Sequence, residues 1–132
     1  WSGANDTLRE KIGEDYPRDT FRHEQDLLVT ENGKTALFAG CAHCGIVNIL
    51  KSAEDVLGRA PDAVFAGFHL YNPSLGKSEP DELVDAVGEK LRGDKVAHYF
   101  TGHCTGKEAY ERLKRKLGDR LGEMPAGSDF TV

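Results

Sequence analysis

Three apolar runs in this sequence end alike. Leu37-Phe38-Ala39-Gly40, Val64-Phe65-Ala66-Gly67 and Tyr99-Phe100-Thr101-Gly102 each stop at a glycine, and histidine follows by three, two and one positions at His43, His69 and His103. Short apolar runs bounded by turn formers read as buried strands. Where such strands lie parallel in an open α/β sheet, their carboxyl ends share one edge, and that edge is where ligands bind. Glycine at the exit lets the chain turn sharply and approach a ligand closely. Neutral imidazoles gathered there suit zinc, iron or manganese. This pattern therefore predicts one site built from three strand ends.

The rest of the chain supplies the layers for such a sheet. Leu27-Leu28-Val29-Thr30 and Thr35-Ala36-Leu37-Phe38-Ala39 flank Asn32-Gly33, a hairpin signal because the tight turn needs positive φ at both central residues. Ile46, Val47, Ile49, Leu50, Ala53, Val56 and Leu57 recur at helical spacing, with Gly58 placed to end the helix. Ser78-Glu79-Pro80-Asp81 offers a cap and an acidic first turn for a helix facing inward through Leu83, Val84, Val87 and Leu91, after a polar loop from Tyr71 to Lys77. Thr105-Gly106-Lys107-Glu108 has capping-box spacing ahead of a helix carrying Ala109, Tyr110, Leu113 and Leu117. Residues 121–132 read as one or two edge strands. Strands alternating with helices give an α/β layer from residue 26 to 132. Residues 1–25 read as a connector or partly ordered segment with no assigned chemistry.

Composition excludes several roles. Seventeen Lys and Arg against 22 Asp and Glu leave a net charge of -5, so no basic field favours nucleic acid or an anionic membrane. No apolar run reaches the roughly 18 residues of a membrane span. Three cysteines, two of them in Cys41-Ala42-His43-Cys44, fit a reducing cytoplasmic compartment with metal or thiol chemistry better than a disulfide framework. Three rivals to a catalytic metal site follow from the same residues. Strand, Cys-x-x-Cys and helix is also the context of a thiol redox centre at Cys41 and Cys44. Cys41 and Cys44 could instead hold structural zinc with two later ligands. The chain could also be a non-catalytic binding module on an enzyme-like scaffold.

Four motifs in order carry a family resemblance. These are Glu24-Gln25-Asp26-Leu27-Leu28-Val29, Gly40-Cys41-Ala42-His43-Cys44-Gly45-Ile46-Val47-Asn48, Gly67-Phe68-His69-Leu70 and Thr101-Gly102-His103-Cys104-Thr105-Gly106. From about residue 20 onward the chain resembles the second half of metallo-β-lactamase-fold metallohydrolases, in the subgroup similar to dihydropterin and ribofuranosylaminobenzene phosphate synthase. The resemblance implies the C-terminal half of an αββα sandwich with a mono- or dinuclear centre of zinc or another divalent metal, iron or manganese included. It makes His43 and His103 metal ligands and sets Cys41 where many relatives carry a bridging aspartate. It places His69 at the rim as the catalytic and substrate contact, with Asn48 and Thr105 as substrate-side candidates.

The implied activity is hydrolysis of an ester-like, phosphate-bearing small molecule. The primary His-x-His-x-Asp-His motif of that family has no counterpart in these 132 residues. The Trp1 start therefore reads as a cut through a larger protein. The chain alone is expected to be inactive and to self-associate or pair with a missing N-terminal half.

Overall fold

The computed structural model describes residues 3–132, and the expectation attached to Trp1 lies outside them. Strands β1 (Asp26–Glu31) and β2 (Lys34–Ala39) form the expected antiparallel hairpin, with Asn32 at φ 49° and Gly33 at φ 79°. Helix α1 (Ile46–Leu57) follows and ends on Gly58 in the left-handed region. Strand β3 (Ala63–Ala66) is buried throughout. The segment expected to be a polar loop instead contains a small antiparallel hairpin, β4 (Tyr71–Asn72) with β5 (Lys77–Ser78). Its turn is tied by the Asn72 carboxamide, which accepts the Ser74 and Leu75 N–H groups and so makes a polar run regular. Helix α2 (Asp81–Gly93), β6 (His98–Thr101), α3 (Lys107–Leu117) and β7 (Leu121–Glu123) complete the order.

Both expected helix caps are corrected. Pro80 rather than Ser78 precedes α2, and the Ser78 hydroxyl reaches across to Glu108 on α3. Gly106 rather than Thr105 precedes α3, and the capping box does not form because the Thr105 hydroxyl is bonded elsewhere.

The main sheet runs β1-β2-β3-β6-β7, with β2, β3, β6 and β7 parallel. Register places Leu37, Val64, Tyr99 and Leu121 in one cross-strand row. That row is buried with Ile46, Ile49, Leu50 and Ala53 of α1, Val84, Val87 and Leu91 of α2, and Leu113 and Leu117 of α3. All three helices therefore cover one face. α2 and α3 are joined by a charged lattice in which Arg112 holds Asp81 and Asp85, and Lys116 holds Asp85 and Glu89.

The opposite face carries the alternate residues. Leu27, Phe38, Phe65 and Phe100 stand in one row, the three phenylalanines stacked at 4.9 Å from ring to ring. The Phe130 ring rests on Phe65 and Phe100, and among the described residues no helix covers this face. Leu27 remains 59% exposed and Phe38 40% exposed.

Residues before β1 are more ordered than a bare connector. A 3-10 turn at Gly3–Asn5 is followed by irregular chain with isolated antiparallel bridges at Arg9 with Arg18 and Ile12 with Asp15. Ala4, Asn5 and Phe21 are buried.

Candidate metal and histidine site

Because β2, β3 and β6 are parallel, their three glycine-ended exits emerge on one edge, as the repeated pattern requires. Backbone bonds lash the exits together: Gly67 N–H donates to Gly40 O at 2.8 Å and Leu70 N–H donates to Cys104 O at 3.0 Å. The buried Thr105 hydroxyl accepts the Phe68 N–H at 2.9 Å and shares a hydrogen bond with Thr101 at 2.6 Å. Close approach explains Gly67: a Cβ there would lie 2.5 Å from the Cys104 sulfur. Ala42, His69 and His103 all hold φ near +50°, a region that costs a non-glycine residue about 1 kcal/mol or more. The loops thus turn in conformations that only the surrounding contacts maintain.

Two clusters occupy this edge. In the first, donor atoms of Cys41, His103 and Cys104 lie within 4.8 Å of one another, with Cys41 Sγ 3.6 Å from His103 Nδ1. His103 is exposed and both thiols are half-buried. Burial, and then the neighbouring Cys41, push the Cys104 thiol up to about 12. Two thiols and an imidazole are a ligand set that zinc accepts, and three protein ligands leave a fourth tetrahedral position open. Cys104, which its place in the sequence ranks below Cys41 as a candidate ligand, joins them here. The available signal was the Gly-His-Cys sequence turning tightly beyond β6.

The second cluster is the histidine pair. The His43 and His69 rings lie 4.2 Å apart, tilted by 58°. His43 stacks flat on Phe21 at 4.3 Å, and its Nδ1 meets Asn5 Oδ1 at 3.0 Å. The Glu24 carboxylate accepts the backbone N–H groups of both His43 and Cys44, at 2.6 and 2.7 Å. Both His69 ring nitrogens are shut away from solvent and have no hydrogen-bond partner among the described residues. Burial, and then His43, hold His69 below the ordinary imidazole range, which favours its neutral form.

The predicted site residues therefore divide. Cys41 and His103 come together, while His43 and His69 form a neighbouring pair rather than joining their three-donor group. Thr105 supports the loops through a buried hydroxyl. Asn48 is exposed on α1, its amide donating back to Cys44 O at 2.7 Å. Asn5, Phe21 and Glu24, all from the segment given no chemistry, wall in His43. Of these, only Glu24 fell within a quoted motif. The two Cys-x-x-Cys sulfurs face different neighbours, Cys41 toward His103 and Cys44 toward Phe21 O at 3.7 Å. Burial and Glu24 push Cys44 up to about 11, unlike the depressed thiol of a redox centre.

Beside His103 opens a cavity of about 540 Å³ lined by Thr101, Lys107, Tyr110, Glu123, Met124 and Pro125, among others. Its size suits a small molecule. Among the described residues, no helix is long and apolar enough to cross a membrane.

No family model matches the chain. It is 30% identical over 101 residues to the 7,8-dihydropterin-6-methyl-4-(beta-D-ribofuranosyl)-aminobenzene-5'-phosphate synthase of Methanocaldococcus jannaschii, an alignment covering 76% of this chain and 32% of the relative. Among solved structures it is similar to a metal-dependent hydrolase of the β-lactamase superfamily, with a TM-score of 0.80, 23% identity, 99% of this chain covered and 51% of that one. The chain thus spans about a third of the curated relative and about half of the structural neighbour. With its parallel sheet, one-sided helices and loops converging on a cysteine and histidine edge, the chain has the metallo-β-lactamase fold.

Proposed function

We propose that this chain forms part of a divalent-metal hydrolase, acting on an ester-like, phosphate-bearing small molecule in a reducing, cytoplasmic compartment. The carrying observation is the convergence of Cys41, His103 and Cys104 at the ligand edge. The donor set fits zinc better than iron or manganese, since thiolates are soft ligands. When bound, such an ion supplies Lewis acidity and lowers the pKa of a bound water toward neutrality. Cys41, His103 and Cys104 would hold it, with both thiols as thiolates. The 540 Å³ cavity beside His103 takes the substrate, and the Lys107 amine at its wall suits a phosphate.

Activity belongs to a larger assembly. The neighbour is about twice as long as the matched region, and the exposed Leu27 and Phe38 on the sheet face without helices support pairing of a further layer there. This chain alone is expected to show little hydrolysis and incomplete metal occupancy, and to self-associate through that face. Concentration-dependent sedimentation that Phe38→Lys abolishes is the expected result; a monomer at high concentration contradicts the pairing.

Cobalt(II) titration tests the metal assignment. A thiolate-to-cobalt charge-transfer band should appear in the 132-residue chain, disappear in a Cys41→Ser, Cys104→Ser double variant, weaken in His103→Ala and persist in Cys44→Ser. A band that depends on Cys44 and ignores Cys104 overturns this ligand set. Stoichiometric, tight zinc together with hydrolysis by the 132-residue chain overturns the incomplete-site reading.

A further inference from the structure

Asn5 lies 38 residues from His43 in sequence, yet both ends of its carboxamide are committed to that one residue. Its Nδ2 donates to the His43 carbonyl oxygen, which can only accept. The amide orientation is therefore fixed, and Oδ1 is the atom that faces His43 Nδ1 at 3.0 Å. A carbonyl oxygen accepts only, so the ring must carry its proton on Nδ1.

We propose that Asn5 is a positioning residue that locks neutral His43 in the Nδ1–H tautomer, leaving its lone pair on Nε2. Three observations support the lock. Asn5 is only 2% exposed, so water does not compete for its amide. The ring cannot swing away, because Phe21 stacks on it at an interplanar angle of 4° and Glu24 clamps its backbone N–H. His69, the other ring in contact, makes no hydrogen bond to His43 and so sets no tautomer there. The histidine side chain free in water prefers the opposite tautomer, with the proton on Nε2, so the arrangement selects against the intrinsic bias. Its consequence is a histidine whose Nε2 can accept a proton or bind a metal ion. That use rests on the functional reading above, whereas the tautomer itself does not.

The test is nitrogen NMR of the metal-free 132-residue chain labelled at histidine, at a pH where the rings are neutral. In the wild-type protein His43 should show a protonated-type Nδ1 and an unprotonated-type Nε2. Asn5→Ala should lose most of the Nδ1–H signal in favour of Nε2–H. A wild-type His43 protonated on Nε2 overturns the proposal, as does an unchanged tautomer in folded Asn5→Ala. If the alanine variant fails to fold, the wild-type spectrum still decides, since a His43 protonated on Nε2 contradicts the lock.

Zinc affinity separates this proposal from the wider reading. If His43 ligates, affinity should fall roughly tenfold to hundredfold in Asn5→Ala, the usual loss when a ligand's outer partner is removed. A shifted tautomer with unchanged zinc affinity upholds the lock and removes His43 from the ligand set.

Discussion

Replacing Thr105 by valine tests whether one buried hydroxyl binds the His69 loop to the His103 loop. Thr105 is 1% exposed; its Oγ1 accepts the Phe68 N–H and meets the equally buried Thr101 hydroxyl. Valine keeps the shape but presents a methyl group to both. Leaving the Phe68 N–H without an acceptor costs about 1–3 kcal/mol, and the lost bond to Thr101 adds about 1 kcal/mol. The methyl would also sit where an oxygen now stands 2.6 Å from Thr101, so some strain must be relieved by moving the loop. The expected destabilisation is about 2–4 kcal/mol by these terms. With a urea m-value of about 2 kcal/mol/M, the unfolding midpoint falls by about 1–2 M. Thr105→Ser keeps the hydroxyl and should lose only about 1 kcal/mol, the worth of one methyl. Urea unfolding monitored by circular dichroism measures all three proteins, and hydrogen exchange at the Phe68 amide reports the local bond. The reasoning fails if Thr105→Val unfolds within about 0.5 kcal/mol of wild type, or if serine is as damaging as valine.

Two further outcomes follow from the geometry. Gly67→Ala places a methyl 2.5 Å from the Cys104 sulfur, so the thiol must swing away from Cys41. A stability loss of about 1–3 kcal/mol with a clearly weaker cobalt band is expected, and an unchanged band would show that the thiol has room to stay. Asp85 is held down to about 2 by its hydrogen bonds to Arg112, with Lys116 adding to the effect, against an ordinary value of 3.8. Its folded pKa is the lower one, so its contribution is complete above about pH 4 and disappears as the pH falls toward 2. Stability should therefore drop less steeply across that window in Asp85→Asn than in wild type, and parallel curves would refute the link.

Local chemistry made much of the scaffold legible. Asn32-Gly33 specified the hairpin, because few other pairs tolerate positive φ twice, and the helical spacing of Ile46 to Leu57 specified α1. The repeated glycine exits foretold that the three loops share one edge, because parallel strands of equal register must bring their ends together. The errors arose where a polar side chain had a choice of partner. Thr105 has capping-box spacing, but a buried backbone N–H at Phe68 claimed its hydroxyl. Ser78 could have capped α2 but found Glu108.

The site divides in the same way. Sequence alone named Cys41, His43, His69 and His103 as residues of one edge, since each follows a strand end by a few positions. Which of them meet depended on how the loops turn after leaving the sheet. Positive φ at Ala42, His69 and His103, set by contacts between loops, gathered Cys104 with Cys41 and His103 and left His43 against His69. Asn5 and Phe21 lay beyond the reach of any pattern in the chain, and Glu24 stood in a motif that did not mark its carboxylate as a backbone clamp. They form no periodic element, and a hydrogen bond between residues 38 apart leaves no mark on local spacing. The sequence determined the strands and the edge through short-range sterics and hydrophobic period; tertiary packing decided the partners, because donors and acceptors buried together must satisfy one another wherever they lie along the chain.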